Sequence, residues 1–354
     1  MRFLKITSII IVVLIAAFFI IAAFLPAKFH VGQSVVIDRP VEYPFNMVNT
    51  LINWEKWSPF SQNDSSLVNS YTGPASGVGS VMSWSSKKQG SGTMKISESV
   101  PFEKIITKLD FGEQGTSTAY FGFEEKDGKT TVFWGMDAVT GYPVERVVYA
   151  LMKSSIEKVF NKGLQNLKSV CESIPYKFEK TGMLSSVPLL KDGNPGKPGK
   201  SPVLYALKLN GVFAAVIKDS CTSSEMAKVM EKDYRELMNY IFQNHNENYG
   251  KPATLWYSYD EETTFGVFET AIPVGEMSNG IGNIKVRKIQ PNKVIAGLHT
   301  GPYENTMYMY QAIMKYLKDN NLQEASGPVE IYLNNPSTEP DPEKRETVIM
   351  FQVK

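Results

Sequence analysis

The C-terminal part of the chain, residues 203–354, contains the same pattern twice. Residues 250–257 resemble residues 327–333, and each segment follows a helical stretch in which Tyr234 and Tyr310 occupy matching positions. Two copies are too few for a solenoid, so we predict one duplicated β-α-β-β domain. It would have a single sheet with pseudo-twofold symmetry, two helices on one face and a concave face opposite. The strands are expected at 212–217, 252–257, 265–274, 294–299, 328–333 and 347–353.

Alternation along the strand that follows Pro328 separates two sets of side chains. Ile331 and Leu333 are apolar, so we assign them to the face that the helices cover. An aromatic and acidic set on the other face would suit a flat or cationic ligand. That set is Thr254, Trp256, Glu330, Tyr332 and Asn334. Two alternatives stay open: Glu330 lies at an exposed sheet rim, or Trp256 and Tyr332 pack on each other across strands.

Three segments of this part resemble the GyrI-like effector-binding domain, which occurs alone or fused to transcription regulators. They are residues 299–304 (His-Thr-Gly-Pro-Tyr-Glu), residues 330–334 (Glu-Ile-Tyr-Leu-Asn) and residues 269–274 (Glu-Thr-Ala-Ile-Pro-Val). The resemblance implies a cleft between the halves that binds small aromatic or cationic compounds, commonly around a buried carboxylate. Some family members resemble hydrolases of strained electrophiles. The last strand carries Val348 where the family usually has Glu, whereas Glu269 keeps the equivalent place in the first half.

We therefore predict that five residues bind the ligand: Trp256, Glu269, Tyr303, Glu330 and Tyr332. The first hypothesis is a protein that captures a hydrophobic, aromatic or cationic compound for sequestration, sensing or delivery. The alternative is a hydrolase of a reactive electrophile that uses Glu330 or Glu269 as general base. We nominate no catalytic residue, and His299 is expected to be structural. A different interpretation of Tyr303 is that it binds no ligand and only packs against the start of a helix.

Residues 31–175 show the pattern of an antiparallel sheet followed by one long helix. Short alternating stretches separated by Gly-rich turns run from residue 77 to residue 138, and apolar residues at helical spacing follow from residue 144 to 172. These features predict an α+β grip in which the helix closes over the sheet. Trp54 and Trp57 are expected to cover a short helix rather than to stack on a ligand.

This part resembles the SRPBCC (polyketide cyclase/START-like) superfamily. The matching residues are 37–40 (Ile-Asp-Arg-Pro), 53–60 (Asn-Trp-Glu-Lys-Trp-Ser-Pro-Phe), 71–74 (Tyr-Thr-Gly-Pro), 90–94 and 160–168, and they occur in order along the segment. The resemblance implies a helix-grip fold with a deep apolar cavity for hydrophobic ligands. It implies no particular chemistry, because binders and enzymes share the fold.

Residues 6–26 form an almost unbroken apolar run preceded by Arg2 and Lys5. Its length suits a spanning helix and exceeds the apolar core of a cleaved signal peptide. We predict an uncleaved signal anchor at residues 1–30, with the membrane as a partner. The positive-inside rule then favours soluble domains that are periplasmic or otherwise outside the cytoplasm.

The composition argues against a nucleic-acid partner and against a metal site. Lys and Arg number 37 against 36 Asp and Glu, so the basic excess typical of a nucleic-acid partner is missing. Two cysteines and three histidines, all far apart in sequence, give little support to a metal site, and no cofactor is predicted. A Gly- and Pro-rich stretch at 176–202 is interpreted as a linker. The predicted domains are thus 1–30, 31–175 and 203–354. The predicted fold class is α+β.

Overall fold

The computed structural model divides the chain into two compact units. Residues 1–73 and 79–172 form the first unit, and residues 74–78 and 173–354 form the second. The structure describes residues 2–61, 64–88, 90–174, 190, 201–244, 249–275, 278–290, 293–336 and 338–354. Most of the predicted linker at 176–202 lies outside the described residues, and the predicted domain boundaries stay predictions.

The predicted N-terminal transmembrane helix is wrong. Helix α1 is present at Arg2–Phe24, but no helix in the described part of the chain is both long enough and apolar enough to span a membrane. Arg2, Lys5, Thr7 and Ser8 fall in its first two turns, whereas a spanning helix needs about twenty consecutive apolar residues. The proposed membrane attachment depended on this helix and is withdrawn. The location of the domains outside the cytoplasm stays a prediction.

The first unit is built on an antiparallel sheet of seven strands in the order β1-β7-β6-β5-β4-β3-β2. Inward and outward residues alternate along β6 and β7, as period-two patterning requires. Helices α2 (Glu42–Asn49) and α3 (Trp54–Trp57) follow the first strand. The strands are β1 (Lys28–Ile37), β2 (Val68–Thr72), β3 (Val81–Ser86), β4 (Gly90–Val100), β5 (Lys104–Asp110), β6 (Thr116–Lys126) and β7 (Lys129–Val139).

A thirty-residue helix, α4 (Val144–Ser173), closes over this sheet. Its Phe160 stacks on Trp134 of β7 with ring centres 4.2 Å apart and planes 9° from parallel. Trp54 and Trp57 join this aromatic interior and donate their indole N–H groups to the carbonyls of Val48 and Met47. They therefore fix the two short helices against the sheet. The α+β class with an antiparallel sheet is confirmed.

The second unit contains an antiparallel sheet of eight strands in the order β12-β9-β11-β10-β14-β15-β13-β8. The order is symmetric about the central β10–β14 pair, because each half of the unit contributes an equivalent set of strands. Outward from the centre, β11, β9 and β12 on one side correspond to β15, β13 and β8 on the other. The strands are β8 (Tyr205–Lys208), β9 (Val212–Thr222), β10 (Ala253–Asp260), β11 (Phe265–Val274), β12 (Lys285–Ile289), β13 (Lys293–Thr300), β14 (Val329–Tyr332) and β15 (Glu346–Gln352).

Two helices, α5 (Met226–Gln243) and α6 (Met307–Asp319), pack on one face of this sheet. Leu237 and Ile241 of α5 share a buried cluster with Ile217 of β9 and Ile272 of β11. On the other half, Met309 of α6 lies over Gly297 of β13, where any larger residue would meet the Met309 sulfur. The helix-bearing face of each half is thereby identified by direct contact.

Candidate functional site

Glu330 and Tyr332 lie on the face that carries the helices, not on the opposite face as predicted. Glu330 is in register with Thr254, and Thr254 with Thr270; Thr270 in turn donates to Asp233 of α5 at 3.3 Å. The alternation separated the two sets of side chains correctly, but each set was assigned to the wrong face of the sheet. Ile331 is only 3% exposed on the other face, so both faces of the sheet are buried and apolarity did not distinguish them.

The centre of the site is the carboxylate of Glu330 in the middle of the sheet. Tyr310, on α6, donates its hydroxyl to one carboxylate oxygen, and Tyr332, on β14, donates to the other at 2.6 Å. Glu330 itself is half-buried. Among the described residues it has no basic partner within ion-pair distance, so its negative charge is compensated only by two neutral phenols.

A second layer of hydroxyls holds Tyr332 in place. The Thr254 hydroxyl lies 3.1 Å from the Tyr332 hydroxyl and 3.1 Å from that of Tyr234 on α5. Tyr234 also donates to the carbonyl of Ala253 at 2.8 Å. This chain of hydroxyls links both helices to the central strands, so the phenol that contacts Glu330 has a defined orientation.

Aromatic rings form the wall of the site. The ring of Tyr303 meets that of Tyr332 edge to face at 5.6 Å, and Tyr234 meets Tyr332 in the same way at 6.3 Å. The Arg345 guanidinium carbon lies 5.4 Å from the centre of the Tyr303 ring. The Tyr303 face is therefore already in contact with a cation, which is the interaction that an aromatic face favours.

Burial keeps these phenols protonated. It raises the pKa of Tyr310, Tyr332 and Tyr234 far above the usual value, and the negative charge of Glu330 raises all three further. The pKa of Tyr303 is also raised, chiefly by burial. At neutral pH the phenols of Tyr310 and Tyr332 therefore act as hydrogen-bond donors to the Glu330 carboxylate.

Glu269 does not join this cluster. It lies one residue from Thr270 on β11 and points to the opposite face, where it accepts from Nε of Arg287 at 3.2 Å and also from the terminal nitrogen of that residue. The Tyr257 ring lies beside this pair, with the Lys218 amine 5.0 Å from its centre. The Glu269 charge is thus neutralised by Arg287, which removes it as a carboxylate for a cationic ligand.

Trp256 lies on the same face as Glu330 but packs at its side. Its ring contacts Phe268 at 5.4 Å and Tyr259 at 6.2 Å, and the backbone of Gly266 passes close beneath it. The alternative of a direct pair with Tyr332 is not what these contacts show. The indole N–H is buried and has no hydrogen-bond partner among the described residues.

His299 has a structural role. It is fully buried, its Nε2 donates to the carbonyl of Pro302 at 2.9 Å, and its Nδ1 lies 3.0 Å from the Tyr308 hydroxyl, within hydrogen-bond distance. A carbonyl can only accept, so Nε2 carries a proton. The histidine stabilises the turn that brings Tyr303 to the site.

Three contributors were not among the predicted site residues: Tyr234, Tyr310 and Thr254 in its role as a hydroxyl bridge. A signal for two of them was present. Tyr234 and Tyr310 occupy matching positions of the repeated helices, and a tyrosine kept in both copies on the sheet-facing side would have indicated a shared role. Tyr303, Glu330 and Tyr332 are brought together, whereas Trp256 is peripheral and Glu269 is on the other face.

Comparison with known families agrees with this division. Residues 28–172 match the family model for polyketide cyclase/dehydrase and lipid transport proteins, and residues 208–354 match the model for the GyrI-like small molecule binding domain. Both resemblances are therefore confirmed, in the predicted order. None of the curated proteins compared with the chain matches it.

Solved structures resemble the chain only distantly. One is EcmrR in a complex with DNA, at 20% identity and a TM-score of 0.38, covering 43% of this chain and 57% of that one. The EcmrR C-terminal domain has 18% identity and a TM-score of 0.38, covering 43% of this chain and 96% of that one. A hydrolase from Listeria innocua has 11% identity and a TM-score of 0.35, covering 48% of this chain and 98% of that one.

Proposed function

Because a polyketide cyclase-like segment is followed here by a GyrI-like small molecule binding domain, we propose that the protein captures small molecules, and that its second unit binds a cationic aromatic compound at Glu330. The observation that carries this proposal is the unneutralised Glu330 carboxylate beneath a wall of tyrosine rings. Sequestration, sensing and delivery are all compatible with such capture.

Charge and shape both favour a flat cation. A carboxylate in a partly desolvated site attracts a positive charge more strongly than one in water, and tyrosine faces add a further attraction to a delocalised cation. A neutral ligand that displaced the phenols from Glu330 would break their hydrogen bonds to the carboxylate without replacing them. A cation that displaced the phenols would replace those hydrogen bonds with its own attraction to the carboxylate. The site therefore discriminates by charge as well as by ring shape.

Both oxygens of Glu330 already accept a phenol hydrogen bond. This arrangement suits a fixed negative charge better than a general base, which needs an oxygen facing the proton that it removes. We therefore favour binding over the alternative, hydrolysis of an electrophile.

The test compares two ligands of nearly the same shape, 10-methylacridinium and neutral acridine, at pH 8. Fluorescence titration of the full chain measures both affinities. We expect Glu330→Gln to weaken methylacridinium binding about tenfold or more, because the substitution removes the carboxylate that the cation would contact, and to change acridine binding by less than about threefold.

Glu231→Gln is the matched control, since it removes the same charge from an exposed position of α5 that is paired with Arg235. It should bind both dyes as the unmodified protein does. Equal losses of methylacridinium affinity in Glu330→Gln and Glu231→Gln would show that only the overall charge matters, and would contradict the proposal.

A further inference from the structure

The second unit contains a buried hydroxyl that has no hydrogen-bond partner among the described residues. It belongs to Thr347 of β15, whose side chain is fully buried. Thr347 is in register with Tyr332 of β14 and with His299 of β13, so its side chain lies beside Tyr332 on the helix-bearing face. A buried hydroxyl without a partner costs free energy that a folded protein normally avoids.

The polar groups on either side of Thr347 are engaged elsewhere. The Tyr332 hydroxyl donates to Glu330, and both ring nitrogens of His299 lie within hydrogen-bond distance of other groups. These neighbours therefore do not compensate the Thr347 hydroxyl, which can bind a group that enters the site.

Arg345 brings a positive charge to the same side of the site. It comes two residues before Thr347 and its backbone is extended (φ −67°, ψ 138°), so the two side chains project in the same direction. Its Nε is buried and has no hydrogen-bond partner among the described residues. Within that part of the chain, no carboxylate lies within ion-pair distance of Arg345, and the nearby Asp341 is paired with Lys344 at 3.2 Å.

Tyr303 is in contact with both charged parts of the site. The Arg345 guanidinium carbon lies 5.4 Å from the centre of its ring, and its ring meets that of Tyr332, the donor to Glu330, at 5.6 Å. Burial raises the pKa of Tyr303, while the charge of Arg345 lowers it and that of Glu330 raises it. A purely cationic ligand beside this ring would be attracted by Glu330 and repelled by Arg345. A ligand that also carries a negative charge would be attracted by both.

We propose that the second unit selects a zwitterion: an aromatic compound whose cationic ring lies at Glu330 and whose carboxylate accepts hydrogen bonds from Arg345 and Thr347. A guanidinium binds a carboxylate through N–H groups held in one plane, and the threonine hydroxyl supplies one more donor. This inference rests on the proposed function, because the cation must bind at Glu330. It adds the residues that decide which cations are preferred.

The experiment compares two acridinium probes of nearly the same shape at pH 8. One is 10-(3-carboxypropyl)acridinium, a zwitterion, and the other is its primary amide, 10-(3-carbamoylpropyl)acridinium, a cation. Fluorescence titration of the full chain measures both affinities, and their ratio is the carboxylate preference. We expect the zwitterion to bind about tenfold or more tightly, the contribution of hydrogen bonds between charged groups.

Two variants assign the preference to its residues. Arg345→Gln should lower the carboxylate preference to about onefold without weakening the amide, because the substitution also removes the repulsion of the cation. Thr347→Val should lower the preference about threefold, and it should not lower the melting temperature because the lost hydroxyl is unpaired. A merely structural role of Arg345 would give a different result, since a distorted site would bind both probes less tightly.

Lys344→Gln is the matched control, because it removes the same charge from the neighbouring, exposed position. It should keep the preference. Thermal unfolding checks that the variants fold, and Thr347→Val decides the matter if Arg345→Gln does not. The inference is overturned if the unmodified protein binds both probes equally, if Arg345→Gln and Thr347→Val keep the preference, or if Lys344→Gln loses as much of it.

Glu330→Gln separates this inference from the proposed function. It should weaken both probes by a similar factor, because both carry the acridinium ring, and should leave the carboxylate preference in place. An unchanged amide affinity in that variant would contradict the proposed function and, with it, the inference. Equal affinities for the two probes, both of which fall in Glu330→Gln, would overturn the inference alone.

Discussion

At the scale of single residues, Asp233 of α5 is a buried group whose ionisation affects stability. It is fully buried against the sheet, and the groups that face it are Thr270 from β11, Asp219 from β9, and Lys232 and Glu236 from its own helix. Burial raises its pKa to about 6 from 3.8, and repulsion from Asp219 adds to the shift.

The sign of the pH effect follows from that shift. The folded protein holds the Asp233 proton more tightly than the unfolded chain, so stability falls as pH rises from about 4 to about 6 and is then constant for this group. We expect Asp233→Asn to raise the free energy of unfolding at pH 7 by about 1–3 kcal/mol, and by much less at pH 4. Urea unfolding at both pH values measures this, with Glu231→Gln as the exposed control. An equal effect at both pH values would contradict the assignment.

Prediction from sequence succeeded at single residues where the relevant neighbours are close along the chain. Glu330 and Tyr332 are two residues apart on one strand, so alternation placed them on one face. Glu269 failed because its partner, Arg287, comes from the edge strand β12, whose pairing with β9 has no local signal. The face that the helices cover was also not predictable, because residues on both sides of β14 are apolar and buried.

At the scale of elements, the close packing of α4 on the first sheet depends on Gly163. A β-carbon at this position would lie 2.7 Å from the Trp134 ring and 2.9 Å from the Pro59 ring. Both neighbours are rigid rings, so neither moves away at low cost. The glycine permits the approach that lets Phe160 stack on Trp134.

We therefore expect Gly163→Ala to destabilise the protein by about 1–2 kcal/mol. Alanine gains about 1 kcal/mol over glycine in helix propensity, but overpacking against two rings costs about 1–3 kcal/mol, and the fixed geometry favours the upper part of that range. Chemical unfolding followed by tryptophan fluorescence measures the change. Ser155→Ala, at an exposed position of the same helix, reports propensity alone; a stability gain in both variants would show that the helix shifts freely.

The repeat predicted the elements of the second unit better than those of the first could be predicted from alternation. The strand that follows a proline, the helix before it and the strand after it each have a counterpart in the other half. Each assignment is therefore supported by two independent segments of the sequence. The outer strands β8 and β12 were not predicted, because they add to the edges of the sheet and lie outside the repeated core. Edge strands are often short, and both of these pair with strands that are distant along the chain.

At the scale of the whole molecule, charge balance bears on the kind of partner. The chain carries a formal net charge of +1, with 37 basic and 36 acidic residues. Binding to duplex DNA depends on several basic side chains that neutralise phosphates and release counterions. In the second unit, Arg287 and Lys315 are paired with acidic residues, which reduces the positive charge that they would offer to a phosphate backbone.

We expect no measurable binding to a 30-base-pair duplex at protein concentrations of about 20 µM in 50 mM salt. The low salt makes the test sensitive, because nonspecific binders with several phosphate contacts bind much more tightly there than in physiological salt. Fluorescence anisotropy of a labelled duplex measures this, and 10-methylacridinium titrated into the same protein sample shows that the cation site is intact. Binding that weakens steeply as salt is raised would demonstrate phosphate contacts and would contradict the prediction. Binding of the dye without binding of the duplex would support a binding site in which the carboxylate of Glu330 attracts a small cation, rather than a surface that attracts a polyanion.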